Sequence, residues 1–350
     1  MSGVPAERLQ AFIAAAFEKV GMPASDARTV AGLMADADLH GADGHGVFRL
    51  PQYIRRIEAG GINLRPEIKV LREKPGSALV DGDNGMGHLV MKFAAQTAIA
   101  KARASGAAWV GVRHGNHAGP ASLYARMPAS QDMVGLYLAV GNANHLPPWG
   151  GIEMLLSTNP IAIAVPAGEE PSIVLDMATT VAAYGKVKTK AQRGEAMPEG
   201  WMVDRDGQPL TDPKRANDGF LLPIGGYKGY GLALVFGLLA GTLNGAAMGR
   251  DVIDFNADDA TPTNTGQAIL AIDVAAFGDA AEFKRRVDAL ARDIRGSKKM
   301  RGFERIWLPG EQSRLKFLER SKAGVPVAAT LMKTLDELAA RLGIEKLTAR

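Results

Sequence analysis

The chain has 350 residues, 47% of them hydrophobic, with 41 Lys and Arg against 37 Asp and Glu and no cysteine. Such a length holds one large or two ordinary domains around a buried core, and the apolar content excludes a disordered chain. The missing cysteine excludes disulfides, thiolate metal sites and a cysteine nucleophile, while a net charge of +4 is too mild for a nucleic-acid binder without a focused patch.

Residues 6–20 place Leu9, Phe12, Ile13, Phe17 and Val20 at helical spacing, which predicts an amphipathic helix ended by Gly21. The early Glu7 and the lack of an apolar core argue against a signal peptide and for a cytoplasmic protein. Ser25 is placed to cap a second helix running to about His40. The glycines of 41–46 (GADGHG) break that helix and put His45 in a loop, and 47–59 is helical again.

From about residue 67 helical and strand patterns alternate, which indicates an α/β fold with mostly helical ends. Residues 89–104 and 122–127 read as helices. Residues 107–112, 133–140, 161–165, 173–175 and 268–274 read as short buried strands bounded by Gly, Asn or Pro. The polar stretch 188–213 reads as a long loop, a length that usually marks function or a crossover between lobes. Residues 229–246 form an apolar helix rich in small residues, too short and too glycine-interrupted to span a membrane. The Lys- and Arg-rich stretch 284–323 reads as solvated helix faces, with a patch near a phosphorylated cofactor as the sharper alternative, and the last forty residues are helical.

A dinucleotide enzyme is first sought through G-x-G-x-x-G after a strand. The triplets Gly44/Gly46, Gly85/Gly87 and Gly229/Gly231 are followed, three residues on, by Arg49, Val90 and Leu234, so none completes the fingerprint. No phosphate-binding loop with its Lys-Ser/Thr pair is present either. Four histidines sit in Gly- or Asn-rich loops: His45, His114, His117 and His145. A loop can aim an imidazole whose pKa lies near neutrality, the design of many acid–base catalysts. Arg49, four residues after His45, suits a bidentate clamp on a carboxylate, with a surface salt bridge as its plain alternative. Asp176 sits at a strand–helix junction as a helix cap or as a carboxylate that orients a histidine or a nicotinamide. Lys228 among the glycines of 225–231 makes an anion site at a helix start, where free N–H groups favour a pyrophosphate.

These segments together resemble the malate/L-lactate dehydrogenase family of the non-Rossmann type, whose members also include ureidoglycolate and sulfolactate dehydrogenases and reductases of cyclic imino acids. The resemblance rests on GADGHGVFRLPQY at 41–53, NHAGP at 116–120, PPWGG at 147–151 and STNPIAIAVP at 157–166. It continues through LDMATTVAAYGKV at 175–187, MPEGWMVDRDGQPLTDP at 197–213, GGYKGYGLAL at 225–234 and LPGE at 308–311. It implies a family-specific, non-Rossmann dinucleotide-binding sheet flanked by helices. The expected division is a helical substrate and dimerisation lobe at 1–70 plus 311–350 and an α/β lobe at 71–310.

The resemblance further implies an oxidoreductase that uses NAD or NADP on a small carboxylate, either a 2-hydroxy or 2-keto acid or a cyclic imino acid. It implies a homodimer with active sites at the subunit interface, and neither a nucleic acid, a membrane nor a metal as partner. His45, His117 and Asp176 are then the catalytic candidates, with Arg49 and Tyr53 on the substrate. The cofactor falls to Asn142, Thr158, Asn159, Asp176, Met177, Ala178, Thr179, Lys228, Pro309, Gly310 and Glu311. Where the family usually carries Ser or Thr before its first histidine, this chain has Gly44. The rival from another class is a metal-dependent lyase or hydrolase ligated by His114, His117 and His145.

Overall fold

The computed structural model describes residues 3–348. Its N-terminal helices are α1 (Ala6–Lys19), α2 (Ala24–Leu39) and α3 (Leu50–Glu58), the last entered through a 3-10 turn at Val47–Arg49. The apolar stripe of α1 is buried as its spacing predicts. Helix α2 starts behind Pro23, whose fixed backbone opens the helix, and Ser25 lies inside the first turn rather than capping it.

Next in the chain is a sheet with its covering helices: β1 (Lys69–Lys74), β2 (Ser77–Gly85), α4 (Gly87–Ser105), β3 (Ala107–Gly115), α5 (Ser122–Ala129), β4 (Met133–Ala139), β5 (Ile161–Val165) and β6 (Ile173–Met177). After it come α6 (Tyr184–Arg193), β7 (Met202–Asp204), β8 (Gly219–Leu221), α7 (Tyr227–Ala240), β9 (Gln267–Asp273), α8 (Ala280–Gly296), α9 (Glu311–Ala323) and α10 (Ala329–Leu342). The seven-stranded sheet runs β1-β2-β3-β9-β4-β5-β6, and only the β2–β3 pairing is parallel. Helices α4 and α5 bury Val90, Met91, Ala94, Ala98, Tyr124 and Ala125 against it.

This mostly antiparallel sheet accounts for the missing glycine fingerprint. One β-α-β unit exists, β2-α4-β3, and it does carry a G-x-G turn at Gly85-Met86-Gly87. A Cβ on Gly87, however, would overlap the carbonyls of Asn116 and His117. Protein backbone closes the helix start that would otherwise cradle phosphate.

A second core joins Leu9, Phe12, Phe17, Met34, Leu50 and Tyr53 to Leu335 and Leu338 of α10, with Met86 and Phe255 reaching in from the α/β part. The stretch 188–213 differs from the expected loop. It is the end of α6 and then one strand of a β7–β8 hairpin, and Val187, Met197, Met202, Leu210 and Leu221 give it a small core of its own. No helix among the described residues is long and apolar enough to cross a membrane.

Candidate active site

Helix α2 ends on a carboxylate that shapes the loop after it. Asp38 is buried, and its Oδ2 accepts the Val47 N–H at 2.8 Å. Gly46 lies so close that a Cβ there would overlap the carboxylate. Arg320 of α9 donates to the Asp38 carbonyl and to the carboxylate of Asp43. The loop 41–49 is thereby held from beneath, and His45 and Arg49 turn into a cavity of about 550 Å³.

His117 enters the same cavity from the loop after β3, and its ring stacks on His45 with centroids 5.4 Å apart and planes 10° from parallel. Phe255 stacks on the other side at 5.3 Å. Nδ1 of His117 meets two donors, the Tyr53 hydroxyl at 2.6 Å and the Gly119 N–H at 3.4 Å. A neutral ring that accepts at Nδ1 carries its proton on Nε2, the atom left for the cavity. Burial and the neighbouring Arg49 push His45 down to about 3, and burial with Arg49 and His45 holds His117 well below the usual histidine range. Both imidazoles are neutral near pH 7. Arg49 rests on neutral acceptors, the Gly44 carbonyl at 3.0 Å and Gln52 Oε1 at 2.6 Å, so its positive charge is uncompensated.

Asn142 and Thr158 line this cavity, with Asn142 Nδ2 donating to Thr265 Oγ1 at 2.7 Å. Tyr53 does not reach it; it is fully buried behind His117, which corrects its expected role as a substrate contact. Asn159 is structural. It accepts from the Gly141 N–H at 3.0 Å and donates to the Ala233 carbonyl of α7 at 2.7 Å. Thr179 spends its backbone N–H and hydroxyl on the Thr158 carbonyl, both at 2.9 Å.

Asp176 lies elsewhere. It belongs to β6, caps no helix of its own strand–helix junction, and accepts the Ser122 N–H at the start of α5 at 2.9 Å. With Pro309 and Gly310 it lines a second cavity of about 740 Å³, alongside Ser122, Arg126, Arg314 and Lys316. Gly41, Ala42 and Lys316 line both cavities, so the two adjoin. Met177 and Ala178 come after Asp176 without lining either one. Glu311 pairs with Arg295 and Arg305 and accepts the Leu308 N–H at 3.1 Å, closing the turn before α9. Lys228 stands exposed on the first turn of α7, outside both cavities. Gly229 beside it serves close packing, since a Cβ there would overlap the backbone of Ile224, whereas a Cβ on Gly231 would meet nothing.

The solvated-face reading of 284–323 holds for α8, where Arg285 and Arg286 pair with Glu282 and Arg292 with Glu169 and Glu170. Arg314 and Lys316 of α9 are exposed as well, and they also line the second cavity. Sequence reasoning also missed Tyr184 and Lys188 of α6. The His145 ring stacks on Tyr184 at 3.9 Å and 10°, and Lys188 Nζ lies 5.5 Å from the Tyr184 ring centroid. The signal present was the basic comb Lys186, Lys188, Lys190 and Arg193, hidden in a stretch read as loop.

The metal reading is corrected by the placement of its ligands. His114 bonds the Asp81 carboxylate at 3.1 Å, His117 bonds Tyr53, and His145 stacks on Tyr184. Among the described residues no three His, Asp or Glu side chains converge as a metal site would require.

Residues 4–336 match the malate/L-lactate dehydrogenase family model. This chain belongs to that family. The malate dehydrogenase of Pyrococcus horikoshii is 39% identical over 353 residues, covering 98% of this chain and 96% of the relative. The L-sulfolactate dehydrogenase of Methanocaldococcus jannaschii is 40% identical, covering 93% of each chain. A Δ1-pyrroline-2-carboxylate/Δ1-piperideine-2-carboxylate reductase of Pseudomonas putida is 33% identical, covering 96% of each. The solved structures of the first two superpose with TM-scores of 0.90 and 0.91, over 99% of this chain in each case. The mostly antiparallel sheet is thus the family's fold, and the chain is an oxidoreductase of the dehydrogenase and reductase type.

Proposed function

We propose that this protein interconverts a small 2-hydroxy acid and its 2-keto acid with NAD or NADP, as a malate/lactate-type dehydrogenase. The observation that carries the reading is the meeting of two neutral imidazoles and one uncompensated guanidinium in a single cavity. That set matches the needs of the reaction: a clamp for the C1 carboxylate, a donor on the C2 oxygen, and a base for its proton.

The adjoining second cavity fits a dinucleotide. It is roomy, with the serines Ser122 and Ser313 and the cations Arg314 and Lys316 on its walls. Asp176, Pro309 and Gly310 would line the dinucleotide site, and Asn142 and Thr158 its junction with the substrate. When bound, the nicotinamide supplies hydride acceptance or donation.

The residues of this chain handle the proton and the substrate. Arg49 receives the C1 carboxylate through its planar fork. Neutral His45 accepts the hydroxyl proton as the alcohol is oxidised, and returns it in reduction. Nε2–H of His117 donates to the C2 oxygen and steadies the developing charge. The walls Ala139, Val140 and Phe255 limit water.

We further propose a homodimer assembled through α7. That helix buries Gly229, Ala233, Gly237 and Ala240 toward its own subunit, while Val235, Leu238 and Leu239 stay exposed among residues apolar on every side. A second copy offering the same face is the occupant such a helix fits. Lys228 would serve a cofactor only from across that interface, because it lies outside both cavities of its own subunit.

An absorbance assay at the nicotinamide band tests the reading, with both cofactors against pyruvate, oxaloacetate, other 2-keto acids and cyclic imino acids. Turnover of 2-keto acids is the expected result. Turnover of imino acids alone would replace it with the reductase activity named for the Pseudomonas putida relative.

A further inference from the structure

Among the six cations that line the substrate cavity, Arg49 and Lys188 are half-buried, and neither has a carboxylate bound to it among the described residues. Arg49 is held by the Gly44 carbonyl and Gln52. Lys188 donates to Asn256 Oδ1 at 3.0 Å and lies against the Tyr184 ring. Every partner of the two is neutral.

Other charges around the cavity are already matched or stand at its rim. Lys190 pairs with Glu195 at 2.9 Å, and Asp43 pairs with Arg320. Lys186 and Arg193 are exposed, whereas Lys188 is half-buried.

Arg49 and Lys188 are close enough to feel each other. After burial, Arg49 is the main influence that lowers Lys188, and His145, pushed down chiefly by burial, feels both cations as well. Asp254 offsets part of this repulsion without pairing with either cation.

A monocarboxylate relieves only half of the arrangement. It brings one negative charge, which the planar guanidinium takes, and leaves Lys188 facing an enclosed space beside a neutralised neighbour. A substrate with a second anionic group one or two bonds beyond C2 answers both cations.

We propose that Lys188 is a specificity-determining residue that receives a distal carboxylate or sulfonate, so that the site selects dianionic 2-hydroxy and 2-keto acids over monoanionic ones. The inference rests on the proposed function only in assigning the C1 carboxylate to Arg49.

The test is direct calorimetric titration of the purified protein with L-malate and with L-lactate, for wild type, Lys188→Gln and Lys188→Arg. Wild type is expected to bind malate at least about 10-fold more tightly than lactate, the order of a hydrogen bond to a charged group. Lys188→Gln closes that gap by losing malate affinity with lactate unchanged, and Lys188→Arg keeps most of it. NADH or NADPH affinity, read by fluorescence, stays constant across the three proteins.

The proposal is overturned if wild type shows no preference, if the preference survives Lys188→Gln, or if both acids or the cofactor weaken together. Failure of the proposed function looks different. There, no 2-keto acid is turned over with either cofactor, yet the malate preference and its dependence on Lys188 remain.

Discussion

The Tyr53 hydroxyl, wholly buried, lies 2.6 Å from Nδ1 of His117 and so decides which nitrogen of that ring carries the proton. Its effect on turnover is indirect, through the orientation and tautomer of His117. Tyr53→Phe should lower kcat by about 3–10-fold, the worth of one neutral hydrogen bond, and leave KM for the keto acid nearly unchanged. His45→Ala, which removes the base itself, should cost roughly 10²–10⁴-fold with the fold intact. Steady-state kinetics on both variants check the assignment. If Tyr53→Phe matched wild type, or cost as much as His45→Ala, the division of roles would be wrong.

His88 is fully buried on α4, and neither ring nitrogen has a protein partner. Burial pushes it down to about 3, whereas an unfolded histidine takes up its proton near 6.5. Between those values the unfolded chain holds the extra proton. The stabilisation is complete above pH 6.5 and is lost as the pH falls toward 3, at up to about 1.4 kcal/mol per pH unit. Asp38, raised to about 8 by burial, works in the opposite sense, because its folded carboxyl keeps a proton that the unfolded one has released. Comparing variants isolates His88. His88→Leu should lose about 2 kcal/mol less than wild type between pH 7 and pH 5, as read by denaturant titration. Parallel curves would show that the ring is not held neutral.

Gly44 has an ordinary backbone, and a Cβ built on it meets nothing within 4 Å. The glycine is therefore not there for its conformation. Gly44→Ser should fold with unchanged Tm and place a hydroxyl on the cavity wall beside His45, altering the ratio of carbonyl to imine turnover. Gly46→Ala is the control, since its methyl would meet the Asp38 carboxylate, and it should be unstable. A large drop in Tm for Gly44→Ser would contradict the open space seen there.

Val235 lies mid-helix on α7 and is half exposed amid apolar neighbours. Val235→Asp should convert a dimer to a monomer and reduce activity, with circular dichroism unaltered. Light scattering reports the mass directly. A wild-type monomer, or a dimer unaffected by the aspartate, would remove α7 as the interface.

Much of the architecture could be read from periodicity, and the reasons for the misses are physical. Strand β1 (KVLREK) is an edge strand whose charges face water, and β2 (SALVDGDNG) ends in Asp, Gly and Asn, so neither shows a clean apolar alternation. Helix α8 did carry a start signal, the pair Asp279 and Glu282, and Asp279 does accept the Glu282 N–H at 2.6 Å. Short motifs place His45 and His117 in loops and Arg49 at a helix start, and the fold brings the three together. Asp176 lies away from His45 and His117, and Tyr53 lies behind His117; sequence spacing does not say which side of a strand or helix meets the cavity. Lys188 was missed for a different cause: its helix is polar, and only the tertiary contact with Asn256 turns it to the cavity.

Gly41, Ala42 and Lys316 belong to the walls of both cavities, so the substrate and cofactor proposed for them would be neighbours across a common partition. Whatever fills one side fixes the loop and the lysine that the other side must meet. Affinities on the two sides are then linked, and the linkage is reciprocal: the factor by which bound cofactor tightens the substrate is the factor by which substrate tightens the cofactor. An order of addition, with one ligand completing the berth of the other, comes from three shared residues and needs no distant relay.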